Sequence, residues 1–373
     1  EESEIDVVIL GEGEETAVDL ASAVEKGKVS YEQIPGLAYL GDDKKLLVTR
    51  GRGRIRNINE IPRPAWDLTP IENYLDRGLG FGVNRGRSMP VFGSRGCPYQ
   101  CTFCSNPSMW TTRWIPRDPD DLLDELEYYQ KRYNAENFDF YDLTAIVKKS
   151  WIIEFCSKIE ERGMKFFWQL PSGTRSEAID EEVAGWLYRT GCRNLSYSPE
   201  SGSPSVLARI KKKIRVNSVV KSINASNRKG LNVKCNIIFG FPGETLREVF
   251  ESYWFIMRMA FAGAFDISVW AFSPYPGSEL FDEIKREKGL TLDDTYYDSL
   301  RSYADPGNTV SYSEHFSDKQ LKILRQVGVL IFYLTSWSIR PYRPFKIVIN
   351  VLLNKQESRA EMGILNVLRR NRL

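Results

Sequence analysis

Apolar and polar positions along the chain follow two rhythms that alternate. Short apolar runs near 91–94, 138–142, 165–170, 194–199, 233–239 and 267–272 have the length and the β-branched or aromatic content of buried strands. Between them the apolar residues recur every three or four positions. Leu122, Leu123, Leu126, Tyr129 and Tyr133 share one side of a helix that opens at Asp118-Pro119, a cap followed by proline at the first helical position. Trp151, Ile152, Phe155 and Ile159 mark a second helix, and a third runs from Asp180 to Arg189 and stops at Gly191. Further helices are predicted over about 216–229 and 244–260. Six such βα units predict an α/β fold with a parallel sheet. Periodicity leaves two arrangements open, a doubly wound sheet and an incomplete barrel.

The ends read differently. Ile5-Asp-Val-Val-Ile-Leu10 is a short strand, followed by Gly11-Glu-Gly-Glu-Glu15 and an amphipathic helix to about Lys26. One strand and one helix cannot bury a core, so this unit is expected to join the main sheet or to have lost its partner strands. Leu37, Tyr39, Leu46 and Val48 alternate around Gly41-Asp42-Asp43, the pattern of a hairpin. Residues 51–90 are irregular, with Ile61-Pro-Arg-Pro64 and the glycine-dotted 78–82, and Arg50, Arg52, Arg54 and Arg56 read as a solvated loop because no aromatic residues interleave them. Beyond about 291 a polar stretch leads to a helix carrying Leu321, Leu324, Val327, Leu330 and Ile331, then to the apolar 347–353 and a basic finish at 369–372. An apolar, basic helix of this kind packs on its own domain or makes a peripheral membrane contact.

Composition narrows the class. Of 373 residues, 42% are hydrophobic and 27% charged, as in ordinary globular proteins, and a net charge of +2 gives no case for a nucleic-acid partner. No apolar run reaches the length of a transmembrane helix. Six cysteines without a signal peptide fit a reducing, cytoplasmic setting. The chain opens Glu-Glu-Ser-Glu rather than Met, so it is expected to be part of something longer.

Cys97, Cys101 and Cys104 stand in the run Gly-Cys-Pro-Tyr-Gln-Cys-Thr-Phe-Cys with the spacing C-x3-C-x2-C. A zinc site would pair such cysteines with a second Cys or His pair, and the one histidine is His315. A disulfide framework belongs to short secreted chains. An iron–sulfur cluster remains the favoured reading. A fully protein-ligated cubane takes four cysteines, and Cys156, Cys192 and Cys235 are scattered singly. Three thiolates would leave one iron open to a small ligand. A single histidine also leaves no Ser–His–Asp or Cys–His arrangement.

This triplet, with Phe103 before its last cysteine, resembles the signature of the radical SAM superfamily, and the resemblance extends from the start to about residue 285. It implies a partial (β/α)6, TIM-like barrel open on one side, a 4Fe–4S cluster, S-adenosylmethionine chelated at the open iron, and a 5′-deoxyadenosyl radical from its cleavage. It further implies that Phe103 presents backbone to the adenine and that Ile238, Gly240, Pro242 and Gly243 pack against it in the strand-to-helix run Asn236–Thr245. Glu200, in Ser198-Pro-Glu-Ser-Gly202, is implied as a ligand of the ribose or of the SAM ammonium, and Arg175 as a cation facing the active site. Asp142 reads equally as a group near the SAM amino function and as a strand-end turn former. Ser273-Pro-Tyr-Pro-Gly277 would shape the substrate mouth.

The runs Val7–Glu15, Ile34–Tyr39 and Ile61–Trp66 resemble the junction in members that carry an N-terminal cobalamin-binding domain. The implied division is a C-terminal remnant of that Rossmann-like domain at 1–50, a linker at 51–90, the radical SAM core at 91–290 and a mainly helical extension at 291–373. Cobalamin would come only with the missing part of its domain, of which just the last strand is present; the Asp-x-His-x-x-Gly motif is absent too, although some members bind the corrin without it. The expected activity is hydrogen abstraction followed by methyl transfer, cyclisation or rearrangement on a small molecule of lipid or tetrapyrrole type, driven by an electron donor such as a flavodoxin or ferredoxin. The alternatives are a methylthiotransferase acting on RNA or protein, which would carry a second cluster, and a non-catalytic iron–sulfur protein.

Overall fold

A computed structural model describes residues 5–27, 30–303, 305 and 307–370. The first four residues and the last three, including Arg372 of the basic finish, lie outside the described residues. The chain opens with β1 (Val7–Ile9), α1 (Glu14–Glu25), β2 (Leu37–Leu40) and β3 (Leu46–Val48). β1 does not join the main sheet. It pairs antiparallel with β2, which pairs antiparallel with β3, giving a small sheet of its own with Val8, Leu40, Leu46 and Val48 exposed. After α2 (Ile71–Arg77) come β4 (Ser88–Val91), the two-residue strands β5 (Ser94–Arg95) and β6 (Ile115–Pro116) on either side of α3 (Asn106–Trp110), and α4 (Pro119–Tyr133). The core continues as β7 (Asn137–Phe140), α5 (Lys149–Glu161), β8 (Phe167–Thr174), α6 (Glu181–Arg189), β9 (Cys192–Glu200), α7 (Pro204–Arg209) and α8 (Val216–Arg228). Next are β10 (Asn232–Phe239), α9 (Leu246–Ala262), β11 (Asp266–Ala271), α10 (Glu279–Lys288) and α11 (Asp294–Ser299), followed by α12 (Asp318–Ile339), α13 (Tyr342–Leu352) and α14 (Arg359–Arg370).

Among the described residues the main sheet has six strands in the order β4-β7-β8-β9-β10-β11, and every pair is parallel. This settles what periodicity left open. A doubly wound sheet reverses its strand order at a switch point, whereas here each strand lies beside the next core strand in sequence and the end strands β4 and β11 do not pair. The result is a partial barrel, wound one way.

Side-chain alternation gives the sheet two different faces. On the outer face Phe138, Phe140, Trp168, Leu195, Tyr197, Cys235, Ile237 and Phe239 are buried under the helices. The residues between them (Asn137, Asp139, Gln169, Ser196, Asn236) point the other way and are polar. Hydrophobic burial thus fixes the strands from outside and leaves the inner face free for chemistry. The first strand ends three residues earlier than its apolar run predicts, because Phe92-Gly93 already leads into the segment that carries β5. α12 closes the β11 edge: Gly328 lies so close to Val269, Ile256 and Phe239 that a Cβ would stand 3.3–3.4 Å from each. Arg325 donates from the same helix to the carbonyl of Val269 at 3.1 Å.

The linker is less solvated than predicted. Arg50 and Arg56 are exposed, but Arg52 pairs with Glu15 and Asp19, while Arg54 pairs with Glu12 and donates to the carbonyls of Trp110 and Arg113. The amphipathic helix α1 supplies most of these acids, so charge pairing immobilises what composition marks as loop. Farther on, Gly82 donates to Asp139 at 2.9 Å and Val83 to Gln169 at 3.0 Å, so the glycine-dotted segment crosses the polar face of β7 and β8. A Cβ on Gly82 would come within 2.3 Å of the Gln169 amide, which explains the glycine. The outer face of the last helices carries exposed Leu330, Leu334, Phe345 and Leu352. No helix among the described residues is long and apolar enough to cross a membrane.

Candidate active site

The cysteine loop hangs from the carboxyl end of β4, inside the frame made by β5 and β6. Asp142, just past β7, holds its start. One carboxylate oxygen accepts from the Gly93 amide at 3.0 Å and the other from the Ser94 hydroxyl at 2.5 Å. Burial raises its pKa to about 6 against those hydrogen bonds. Through these two hydrogen bonds Asp142 holds the strand-to-loop turn.

Further bonds close the loop. The Cys104 amide donates to the Cys101 carbonyl, and Asn106 donates its side-chain amide to the Cys97 carbonyl at 3.1 Å and its backbone N–H to the Cys104 sulfur at 3.5 Å. Thr102 donates to the Ile210 carbonyl and accepts from the Leu280 amide, stitching the loop between the end of α7 and the start of α10. Cys101 is buried and Cys97 and Cys104 half-buried; all three are free thiols. Burial pushes each thiol up, and each lies near enough to another to disfavour that neighbour's negative charge. Lys212 acts in the opposite sense on all three, and Arg175 on Cys97 and Cys101. Cys156, Cys192 and Cys235 sit in the core under the helices, where burial pushes Cys156 up to about 12.

A group bound here would therefore meet three adjacent thiols, N–H donors at two of the sulfurs and two nearby cations. That donor set fits a thiolate-ligated cluster, whose irons displace the protons that burial otherwise retains. Among the described residues no three Cys, His, Asp or Glu converge as a site for a single ion. Ligands of a cubane bind different irons, so they stand farther apart than the ligands of one ion.

Glu200 ends β9 with a φ of +68°, a left-handed conformation uncommon outside glycine and typical of residues held at functional sites. Its carboxylate meets Lys212 Nζ at 3.0 Å, and both side chains are at least nine-tenths buried. The next residues fix it. Gly202 donates to Ser252 at 2.9 Å, and a Cβ there would fall 2.5 Å from Phe255. Arg175 lies 3.8 Å over the ring of Tyr99, within the cysteine loop, and donates to Glu177 and to the Lys213 carbonyl. It thus clamps the loop to the segment carrying Lys212.

The glycine loop after β10 forms the opposite wall. Phe103 packs 5.5 Å from Phe241, which packs 5.3 Å from Phe272, and buried Ile238 joins them in a second apolar cluster. Gly240 (φ +84°) donates to Glu244 at 2.6 Å, and Gly243, following Pro242, donates to Glu314 at 2.8 Å. Burial holds the Glu244 carboxyl up at about 8, opposed by the amides of Gly240 and Phe241. Between its ordinary 4.5 and 8 the unfolded chain has shed a proton that the folded chain keeps, so this group makes stability fall as pH rises through that window. Glu244→Gln keeps an acceptor for Gly240 and removes the titration. Thermal unfolding should place the variant above the parent at pH 8, with the gap closing towards pH 4.5.

Sequence reasoning missed several residues lining the lumen beside Glu200. Trp270 stacks on Tyr303 at 4.8 Å and donates to Asn236 at 3.2 Å, and Asn236 donates to Ser196 and Ser198. Tyr275, in the predicted mouth turn, meets Tyr303 edge-on at 6.2 Å. Lys212 is hidden in the run Lys211-Lys-Lys213, where nothing in the sequence marks the middle residue as the buried one. Asn236 and Trp270 could have been found by following inward strand positions at period two.

The Radical SAM superfamily model matches residues 91–256, the span from β4 through most of α9. An uncharacterized methyltransferase of Pyrococcus horikoshii is 31% identical over 334 residues, covering 88% of this chain and 68% of that protein. The anaerobic magnesium-protoporphyrin IX monomethyl ester cyclase of Rubrivivax gelatinosus is 27% identical over 283 residues, 75% of this chain and 49% of its own length. In fold, the radical S-adenosylmethionine methyltransferase TsrM of Kitasatospora setae superposes with a TM-score of 0.63 at 18% identity, covering 76% of this chain and 54% of that one. The chain thus spans between about half and two thirds of the length of these three proteins. Sequence relationship along nearly its whole length, with the cysteine loop at the carboxyl edge of a one-way partial barrel, establishes that this chain belongs to the radical SAM superfamily.

Proposed function

We propose that this chain binds a 4Fe–4S cluster through Cys97, Cys101 and Cys104 and acts on a small molecule by radical chemistry ending in methyl transfer or cyclisation. The observation that carries this reading is the set of three thiols on one loop, each near enough to another to disfavour its charge, with every other cysteine buried in the core under the helices. The bound cluster and S-adenosylmethionine would supply the 5′-deoxyadenosyl radical. The chain's own residues bind and orient. Phe103, Ile238 and the loop from Gly240 to Gly243 offer an apolar wall for the adenine, and Glu200 accepts hydrogen bonds from the ribose or the ammonium. Arg175 and Lys212 hold the cysteine loop and Glu200 in register. Trp270, Tyr303 and Tyr275 form an aromatic surface in the lumen that suits a flat, apolar substrate. The P. horikoshii and R. gelatinosus relatives are named for the two outcomes, methyl transfer and ring closure.

A second TsrM structure has cobalamin and a 4Fe–4S cluster bound. Among the described residues the one histidine, His315, is exposed, and the N-terminal strands form a small antiparallel sheet. A corrin-borne methyl group would need a domain beyond these residues. Anaerobic reconstitution with iron and sulfide, then S-adenosylmethionine and dithionite, should yield 5′-deoxyadenosine. A reduced, intact cluster that forms none contradicts the reading.

A further inference from the structure

The near-neutral net charge hides a strongly asymmetric segment. From residue 201 to 243 there is no Asp or Glu, and there are nine Lys and Arg. Part of this segment lines an open groove of about 910 Å³, with Lys211, Lys213, Arg215, Lys221 and Arg258 around it. Lys211 pairs with Glu279, but Lys213, Arg215 and Lys221 have no carboxylate partner among the described residues. Such a surface collects field of one sign and draws anionic partners.

The wall behind this groove is the cysteine loop's own support. Leu207 lines the groove and belongs to the apolar cluster against which Phe103 packs. Ile210 accepts from Thr102, and the Lys213 carbonyl accepts from Arg175, whose guanidinium covers Tyr99. Lys212 reaches from the groove through to Glu200, 5.9 Å from the Phe103 ring. One segment, 207–213, therefore separates basic surface from cluster site.

We propose that this groove is the docking surface for an acidic one-electron donor protein of the flavodoxin or ferredoxin type. The inference rests on the radical reading above, in which each reductive cleavage consumes one electron from outside. The donor is oxidised by one electron, the cluster is reduced by one, and no bond is made or broken in the groove. Transfer weakens steeply with distance, so the donor must seat where surface and cluster site share a thin wall. The groove lining contains no aromatic residue on which bases could stack, which favours an acidic protein over a nucleic acid.

The test uses the reconstituted full chain with oxidised flavodoxin, followed by its flavin fluorescence, and with a bacterial ferredoxin. Arg215→Glu with Lys221→Glu changes two exposed groups away from the cysteines, and Glu at position 215 suits the start of α8. The double variant should weaken binding of at least one donor by about tenfold or more, an effect that added salt reproduces in the parent. Cluster bleaching by the reduced donor should slow in step, with dithionite-driven 5′-deoxyadenosine formation and thermal unfolding unchanged. Equal affinity and equal bleaching in parent and variant would overturn the proposal, as would loss of binding to an RNA oligonucleotide alone. Failure of dithionite to support cleavage in the parent would instead count against the radical reading.

Discussion

Replacing any one of Cys97, Cys101 and Cys104 with alanine is expected to strip the reconstituted protein of most of its iron and to cut 5′-deoxyadenosine formation by on the order of 10³-fold or more, because ligands that act as a unit fail as a unit. Cys101 should be the most severe case. It is the most buried of the three and lies in the stretch pinned to Ile210 and Leu280 through Thr102. The control comes from the remaining cysteines. Cys235→Ala removes a sulfur packed between β10 and the helices, so it should lower stability by about 1 kcal/mol while leaving iron content intact. Iron and sulfide assays beside thermal unfolding separate the two classes. Equal iron loss from Cys235→Ala and Cys101→Ala would mean that the triplet is not the site.

The second large effect belongs to the buried pair. Glu200→Gln leaves the Lys212 ammonium without its carboxylate in a pocket both groups share, and Lys212→Met leaves the carboxylate without its cation. Either change should cost about 3–5 kcal/mol of stability. The double variant should recover most of that loss, since neither charge is then stranded. Binding should behave differently. If Glu200 accepts hydrogen bonds from S-adenosylmethionine, the double variant stays weaker by about ten- to a hundredfold, the worth of a charge-assisted hydrogen bond. A double-mutant cycle read by unfolding and by equilibrium binding checks both. Recovery of affinity together with stability would reduce Glu200 to a structural partner of Lys212.

Much of this architecture was legible because strand and helix rhythms are imposed by burial on the outer face of the sheet. The helix at Asp118-Pro119 and the apolar runs at 138–142 and 233–239 fall where the pattern predicts, each under its helices. Strand order was not legible, since it depends on which neighbours pair rather than on periodicity. The cysteine loop, the turn at Glu200 and the glycine loop were found because they are local motifs at strand ends. Residues joined through space were not. Lys212 looks like its two neighbours until the turn after α7 points it inward, and Arg54 looks solvated until Glu12 and the Trp110 carbonyl arrive from elsewhere. Asp142 reads as a residue at the strand edge, but only the folded chain shows its oxygens accepting from Gly93 and Ser94. At the front end, the Val7–Ile9 run reads as a strand of the main sheet or of a lost one, and its antiparallel pairing with β2 was not legible because a three-residue run carries no information about its partner.

The central claim is that three thiols hold a cubane whose fourth iron is left for S-adenosylmethionine. It is tested most directly by the EPR spectrum of the anaerobically reconstituted, reduced protein recorded with and without that ligand. The account predicts a 4Fe–4S signal whose g-values and line shape shift on addition of S-adenosylmethionine, and no such signal once Cys101 is alanine. A cluster signal that stays the same at saturating S-adenosylmethionine, or that survives the loss of Cys101, would contradict it.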